Sequence, residues 1–164
     1  MALAALFANR AAPDGANGGR GGPALSLPKP PPINKPPSDE LSAPQQLASA
    51  IARSDGAVDG SGRLVVVCFV ISFAPPCIAV LDGLKKLQTA MGNVEVYRVA
   101  VDKPGGGALA DTHGVQVTPT MQLYVHGQLV HEMRTISQDL IHPFVLKWSK
   151  KAKSAPGATY GHEV

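Results

Sequence analysis

The run Leu64-Val65-Val66-Val67-Cys68-Phe69-Val70-Ile71 restricts this chain more than any other feature, because it is apolar at every position and largely β-branched. A strand with one wet face alternates apolar with polar residues; this one does not, so both of its faces must be covered. A bilayer-spanning helix needs about 20 apolar residues, which this run does not supply. What remains is the central strand of a mixed or parallel sheet with helices on both sides, an α/β fold.

The flanking sequence supplies those helices. Ser42-Ala43-Pro44-Gln45 has the spacing of a capping box, and Leu47, Ala50 and Ile51 follow at helical intervals, which predicts a helix over 43–53. Asp55-Gly56 and Gly60-Ser61-Gly62 are turns. Beyond Pro75-Pro76, Ile78, Leu81, Leu84, Leu87 and Met91 recur every three or four residues and predict a second helix over 76–91, stopped by Gly92. Val94, Val96, Val99 and Val101 predict a strand over 93–102, and Pro104-Gly105-Gly106-Gly107 a flexible loop before a short helix at 108–113. Thr120 to Val125 and Gln128 to Arg134 alternate around His126-Gly127, the chemistry of a two-residue hairpin. Ser137 is placed to cap a last helix with Leu140, Ile141, Phe144, Val145 and Trp148 on its buried face. Pro143 requires that helix to begin there or to kink.

Composition separates the ends from this middle. Of the 15 Pro in 164 residues, eight lie before residue 40, where an Ala/Gly-rich stretch runs to Gly22 and is followed by Leu27 to Pro37. Such a segment buries too little apolar surface to offset its ordering entropy, so 1–40 is expected to be an extended tail with polyproline II character, ordered along a partner. The folded domain is expected over 41–148, and 149–164, with Lys150, Lys151 and Lys153, as a short basic tail. The apolar Met1 to Asn9, followed by Arg10 and Arg20, is also the pattern of a mitochondrial presequence. A net charge of +3 fits contact with an acidic surface but falls short of the dense Lys/Arg stripe of a dedicated nucleic-acid binder, and by itself it selects no partner. Two cysteines, Cys68 and Cys77, fit a reducing compartment.

In order and spacing, residues 41–148 resemble the thioredoxin-like superfamily. Phe73-Ala74-Pro75-Pro76-Cys77 is similar to that family's aromatic-Cys-x-Pro-Cys site, between central strand and helix. Val101-Asp102, Leu109-Ala110, Gly114-Val115 and Val117-Thr118-Pro119-Thr120 resemble the later stretch that ends in the family's cis-proline. The resemblance implies a mixed sheet flanked by helices, and it also shows what is missing. Disulfide exchange needs a thiolate at the first position and a resolving thiol one turn on. The first position here is Ala74, and Cys68 stands where many relatives carry a buried Asp. The same absence argues against a glutaredoxin-type iron–sulfur site.

Two readings of the cysteines remain: a Cys68–Cys77 dithiol switch, or two inert buried thiols. Pro119 either holds its loop against Cys77 or, with Thr118, turns backbone groups towards a cleft beside Phe73 that pairs with an extended peptide. No histidine pair has ligand spacing, Gly105-Gly106-Gly107 lacks the Lys-Ser/Thr of a phosphate loop, and nothing calls for a cofactor. Pro28, Lys29, Pro30, Pro31, Pro32 and Lys35 form a generic tether. The expected function is therefore that of a non-catalytic structural subunit, held by its tails in a large assembly. An axonemal or microtubule complex is favoured, with tubulin or axonemal proteins as partners, no membrane, and a cytoplasmic, cytoskeletal location; the alternative location is the mitochondrion. The alternative functions are a thiol–disulfide protein using Cys77, with or without Cys68, and a peptide-holding adaptor.

Overall fold

A computed structural model describes residues 36, 38–55 and 62–154. The chain runs α1 (Pro44–Ala52), β1 (Leu64–Val70), α2 (Pro75–Met91), β2 (Val94–Ala100), α3 (Pro104–Thr112), β3 (Thr120–Val125), β4 (Gln128–Met133) and α4 (Gln138–Ala152). The four strands form one mixed sheet in the order β2-β1-β3-β4. β1 pairs in parallel with β2 and antiparallel with β3, which pairs antiparallel with β4. Every residue of β1 is buried, as its unbroken apolar run requires. Leu64, Val66, Cys68 and Val70 enter a core with Val80 and Leu84 of α2 and Ile141, Val145 and Trp148 of α4. Val65, Val67 and Phe69 enter the opposite core with Leu47, Ala50, Tyr97, Val99 and Leu109. Burying a Val, Leu or Phe side chain contributes about 1.5–3 kcal/mol, so this strand anchors both layers.

The local rules hold at most element ends. Gln46 Oε1 accepts from the amides of Ser42 and Ala43 and closes the start of α1, with Ala43 rather than Ser42 at the cap. Gly92, at φ 69°, ends α2. His126 and Gly127 both have positive φ, 51° and 75°, as the tight hairpin demands. Arg53, at the end of α1, grips Glu95 of β2 with its Nε at 2.6 Å and Nη2 at 2.5 Å, while Tyr97 donates to the same carboxylate at 2.7 Å.

Four expectations are corrected. The Gly105 to Gly107 stretch is no flexible loop but the first turn of α3, packed hard against its neighbours. A methyl on Gly105 would lie 2.3 Å from the Ser42 carbonyl oxygen, and one on Gly106 1.9 Å from that of Ala100. The glycines serve close approach. Of the two readings of the last helix, a start at Pro143 is excluded: with Ser137 at its N-cap it spans Gln138–Ala152, Pro143 inside, and runs beyond the expected end at Trp148. Ile141, Val145, Trp148 and Ala152 form one buried stripe, which outweighs the ~3 kcal/mol an interior proline costs. Lys150 and Lys151 are therefore in the last turn of α4, and Lys153 is its C-cap, not in a tail. Glu40, assigned to the N-terminal tail, bridges Arg98 on the edge of β2: the amide of Leu41 donates to the Arg98 carbonyl and that of Arg98 to Asp39, each at 2.8 Å. The Glu40 side chain pairs with Arg98 and Lys103. The tether residues Pro28 to Lys35 lie outside the described residues.

Two predictions follow from this packing. Gly106→Ala forces a clash and lowers stability by about 1–3 kcal/mol, whereas Gly107→Ala, whose methyl would meet only the Val101 carbonyl at 3.3 Å, changes it by less than ~1 kcal/mol. Urea unfolding of the two variants checks this; equal losses would contradict the close approach. Burial by itself would raise the Glu95 carboxyl, but the hydrogen bonds from Arg53 and Tyr97 hold it below the ordinary 4.5. Its contribution is therefore present above about pH 4.5 and lost as pH falls through the lowered value. Glu95→Gln should cost about 1.5–3 kcal/mol at pH 7, and the gap to wild type should close towards pH 3 in thermal melts.

Candidate functional site

The segment 71–77 leaves the carboxyl end of β1 and turns into α2. Ser72 donates its amide (2.8 Å) and hydroxyl (3.0 Å) to Asp102 Oδ1, tying the turn to the segment that follows β2. The Ser72 amide, then its hydroxyl, holds the Asp102 carboxyl below the usual carboxylate range. Phe73 projects from the turn, 76% exposed. Ala74 is the N-cap of α2 and offers no side-chain cap; its methyl packs against the core. Pro75 and Pro76 open the helix. Neither has an N–H, so two of the donors that normally make a helix N-terminus attractive to an anion are absent.

Cys77 follows on the inner face, 2% exposed, and shares one core cluster with Cys68, 0% exposed. Both sulfurs are free thiols. Burial, and secondarily the neighbouring Cys77, pushes the Cys68 thiol far above its ordinary range, so it carries no thiolate at neutral pH. The structure brings the two cysteines into one core, as expected, without a bond between them.

The Thr118–Pro119 peptide is cis. Thr120 Oγ1 donates to the Val117 carbonyl at 2.7 Å across the bend. Phe69 is in register with Thr120, and Met121 with Met133. The cis-proline bend and the β4–α4 connection therefore come to the same end of the sheet as Phe73 and Cys77. Apolar side chains are exposed at that end, Phe73, Ile78 (44%), Val117 (48%), Ile136 (59%) and Leu140 (54%), with Asp102, Arg134 and Asp139 among its exposed charged residues. Neither Ile71 to Leu81 nor Gly114 to His131 contains an Asp, Glu, Lys or Arg. Sequence reasoning picked out Phe73, Thr118 and Pro119, missed Val117 and Ile136, and passed over the Ser72–Asp102 tie; Leu140, expected on the buried face of the last helix, and Ile78, expected in the apolar stripe of the second, are instead 54% and 44% exposed. The two uncharged stretches were the available signal for the apolar end. The tie needed the register of β1 with β2. Among the described residues no cluster of His, Cys, Asp or Glu is arranged to hold a metal ion.

The thioredoxin family model matches residues 49–146, more than half of the chain. The chain belongs to the thioredoxin family. Among solved structures, the oxidised mitochondrial thioredoxin 3 of Saccharomyces cerevisiae is similar, with 20% identity over 66% of this chain and 92% of that one, TM-score 0.56. The thioredoxin of Fasciola hepatica matches with 21% identity over 66% of this chain and 96% of its own, TM-score 0.57. The oxidised thioredoxin of Plasmodium falciparum matches with 15% identity over 67% and 96%, TM-score 0.56. No curated protein matches the chain. Within a thioredoxin domain, a methyl group at Ala74 supplies no electron pair to attack a disulfide, and Cys77 lies under the first turn of its helix.

In the native protein both thiols should react slowly with a water-soluble thiol reagent because both are buried, and both should label at once in denaturant. Rapid labelling of one thiol in the folded chain would contradict the burial of Cys77.

Proposed function

We propose that this thioredoxin domain is a non-catalytic interaction subunit of a large protein assembly, an axonemal or other microtubule-based complex in the cytoplasm first among them. One observation carries the proposal: Ala74 occupies the N-cap of α2, where the family's chemistry requires a thiolate, while exposed apolar side chains, Phe73 and Val117 among them, stand at the same end of the sheet. An exposed Phe beside exposed Ile and Val side chains costs solubility and returns it only when another surface covers them. A catalytic pair would need one accessible sulfur, and both sulfurs here are buried. The cis-proline bend adds backbone groups of Thr118 at the same end, suited to a partner's extended segment. The partner thus covers the end of the sheet at which a catalytic relative handles its substrate, and shape and apolar contact replace the covalent step.

The chain should leave insulin disulfides at the background rate. Turnover by wild type that Cys77→Ser abolishes would defeat the proposal. Charged substitution of the apolar end, Phe73→Asp with Val117→Asp, should lower retention of the chain in isolated axonemes or on sedimented microtubules by roughly tenfold or more, from the apolar burial each loses. Its thermal unfolding should stay near wild type, since both side chains are solvent-exposed.

A further inference from the structure

The opposite end of the sheet carries a second surface of different chemistry. The C-terminus of α4 abuts the start of β1: a methyl on Gly62 would lie 2.9 Å from the Ala152 carbonyl oxygen. Asn93 locks this corner, its Nδ2 donating to the carbonyls of Gly62 at 3.1 Å and Ser149 at 2.8 Å. From Leu140 to Ser154 the sequence holds Lys147, Lys150, Lys151 and Lys153 and no Asp or Glu. These cations are not spread along a loose tail. Lys147 and Lys151 set their Nζ atoms 5.6 Å and 4.4 Å from the ring centroid of Trp148, which is itself 1% exposed and fixed in the core. The indole thus positions two ammonium groups on a rigid helix end, with Lys150 and Lys153 exposed beside them and Leu146, 38% exposed, one turn before Lys150.

We propose that the last two turns of α4 form a preorganised cationic docking face for an acidic polypeptide segment, one rich in Glu or Asp. This rests on the chain being an interaction subunit and gives it a second point of attachment, roughly 20 Å from the apolar end by the length of β1. Charge complementarity selects an acid, and three features select polypeptide. The exposed cations are lysines, point charges suited to single carboxylates, rather than the guanidinium forks that grip phosphates in pairs. Among the described residues the strongly exposed aromatic side chain is Phe73, at the far end, so no ring is offered here for base stacking. The apolar stripe of α4 (Ile141, Val145, Trp148, Ala152) faces the core, so the helix has no continuous apolar face to lay into a lipid surface. Fixing the ammonium groups in advance lowers the ordering cost of binding, which a mobile basic tail would bear in full.

The test is the anisotropy of a fluorescein-labelled oligoglutamate peptide titrated with the full chain. Wild type should bind it, and binding should weaken with added salt. The combined variant Lys147→Gln, Lys150→Gln, Lys151→Gln, Lys153→Gln should bind about tenfold more weakly or worse. Replacing the same lysines by Arg should restore binding, which separates charge from any effect on helix stability. Phe73→Asp with Val117→Asp should leave oligoglutamate affinity unchanged. Equal affinity of wild type and the Gln variant would overturn the proposal. So would tighter binding of single-stranded oligodeoxynucleotide, or of phosphatidylserine vesicles, lost in the same variant. If oligoglutamate binding fails while the Phe73/Val117 variant still leaves the assembly, the cationic face alone falls and the interaction subunit stands. If both fail, the interaction subunit falls with it.

Discussion

Burial of β1 on both faces is the constraint on which the rest of the molecule depends. Its seven side chains divide between two cores, Leu64, Val66, Cys68 and Val70 towards α2 and α4, and Val65, Val67 and Phe69 towards α1 and α3. No other element touches both layers to this degree, so the strand fixes where the helices pack and where the sheet ends. A polar atom placed in it would have no water and few partners. That pressure also accounts for Cys68 as a small hydrophobe, desolvated to the point where its thiol cannot ionise at neutral pH.

The same strand governs what was legible in the sequence. A continuous apolar run, Leu81 and Leu84 of the α2 stripe and the His126-Gly127 turn each specify structure through contacts between near neighbours, and each appears in the fold where the pattern puts it. The misses share a cause in long-range packing. Gly105 and Gly106 look like linker until α3 is seen lying against the carbonyls of Ser42 and Ala100. Pro143 looks like a helix boundary until the stripe from Ile141 to Ala152 is set against the sheet. Glu40 looks like tail until Arg98 pairs with it. In the first two cases tertiary burial overrides a local preference worth about 1–3 kcal/mol, and in the third a strand-like bridge and ion pairs do.

The candidate site was half legible. The residue types at 73–77 and at Pro119 could be picked out because the chemistry they serve, or lack, is written in the side chains themselves. Which apolar residues surround them could not, since Ile78, Val117, and the pair Ile136 and Leu140 come from three separate segments that only the strand registers gather at one end. The resulting molecule has an apolar end without a nucleophile and a cationic end built on a buried indole. On the proposed reading, these two ends, different in chemistry, would each meet a different neighbour.

Hydrogen–deuterium exchange on the chain, free and within its isolated assembly, tests the central claim most directly. If the apolar end is the surface a partner covers, the amides of Phe73 and of residues 116–118, which donate to no backbone carbonyl within the described residues, should exchange faster than those of β1 in the free chain and become protected in the assembly. Exchange at those residues unchanged by assembly, with Cys77 recovered as a mixed disulfide to another protein, would contradict it and return the domain to thiol chemistry.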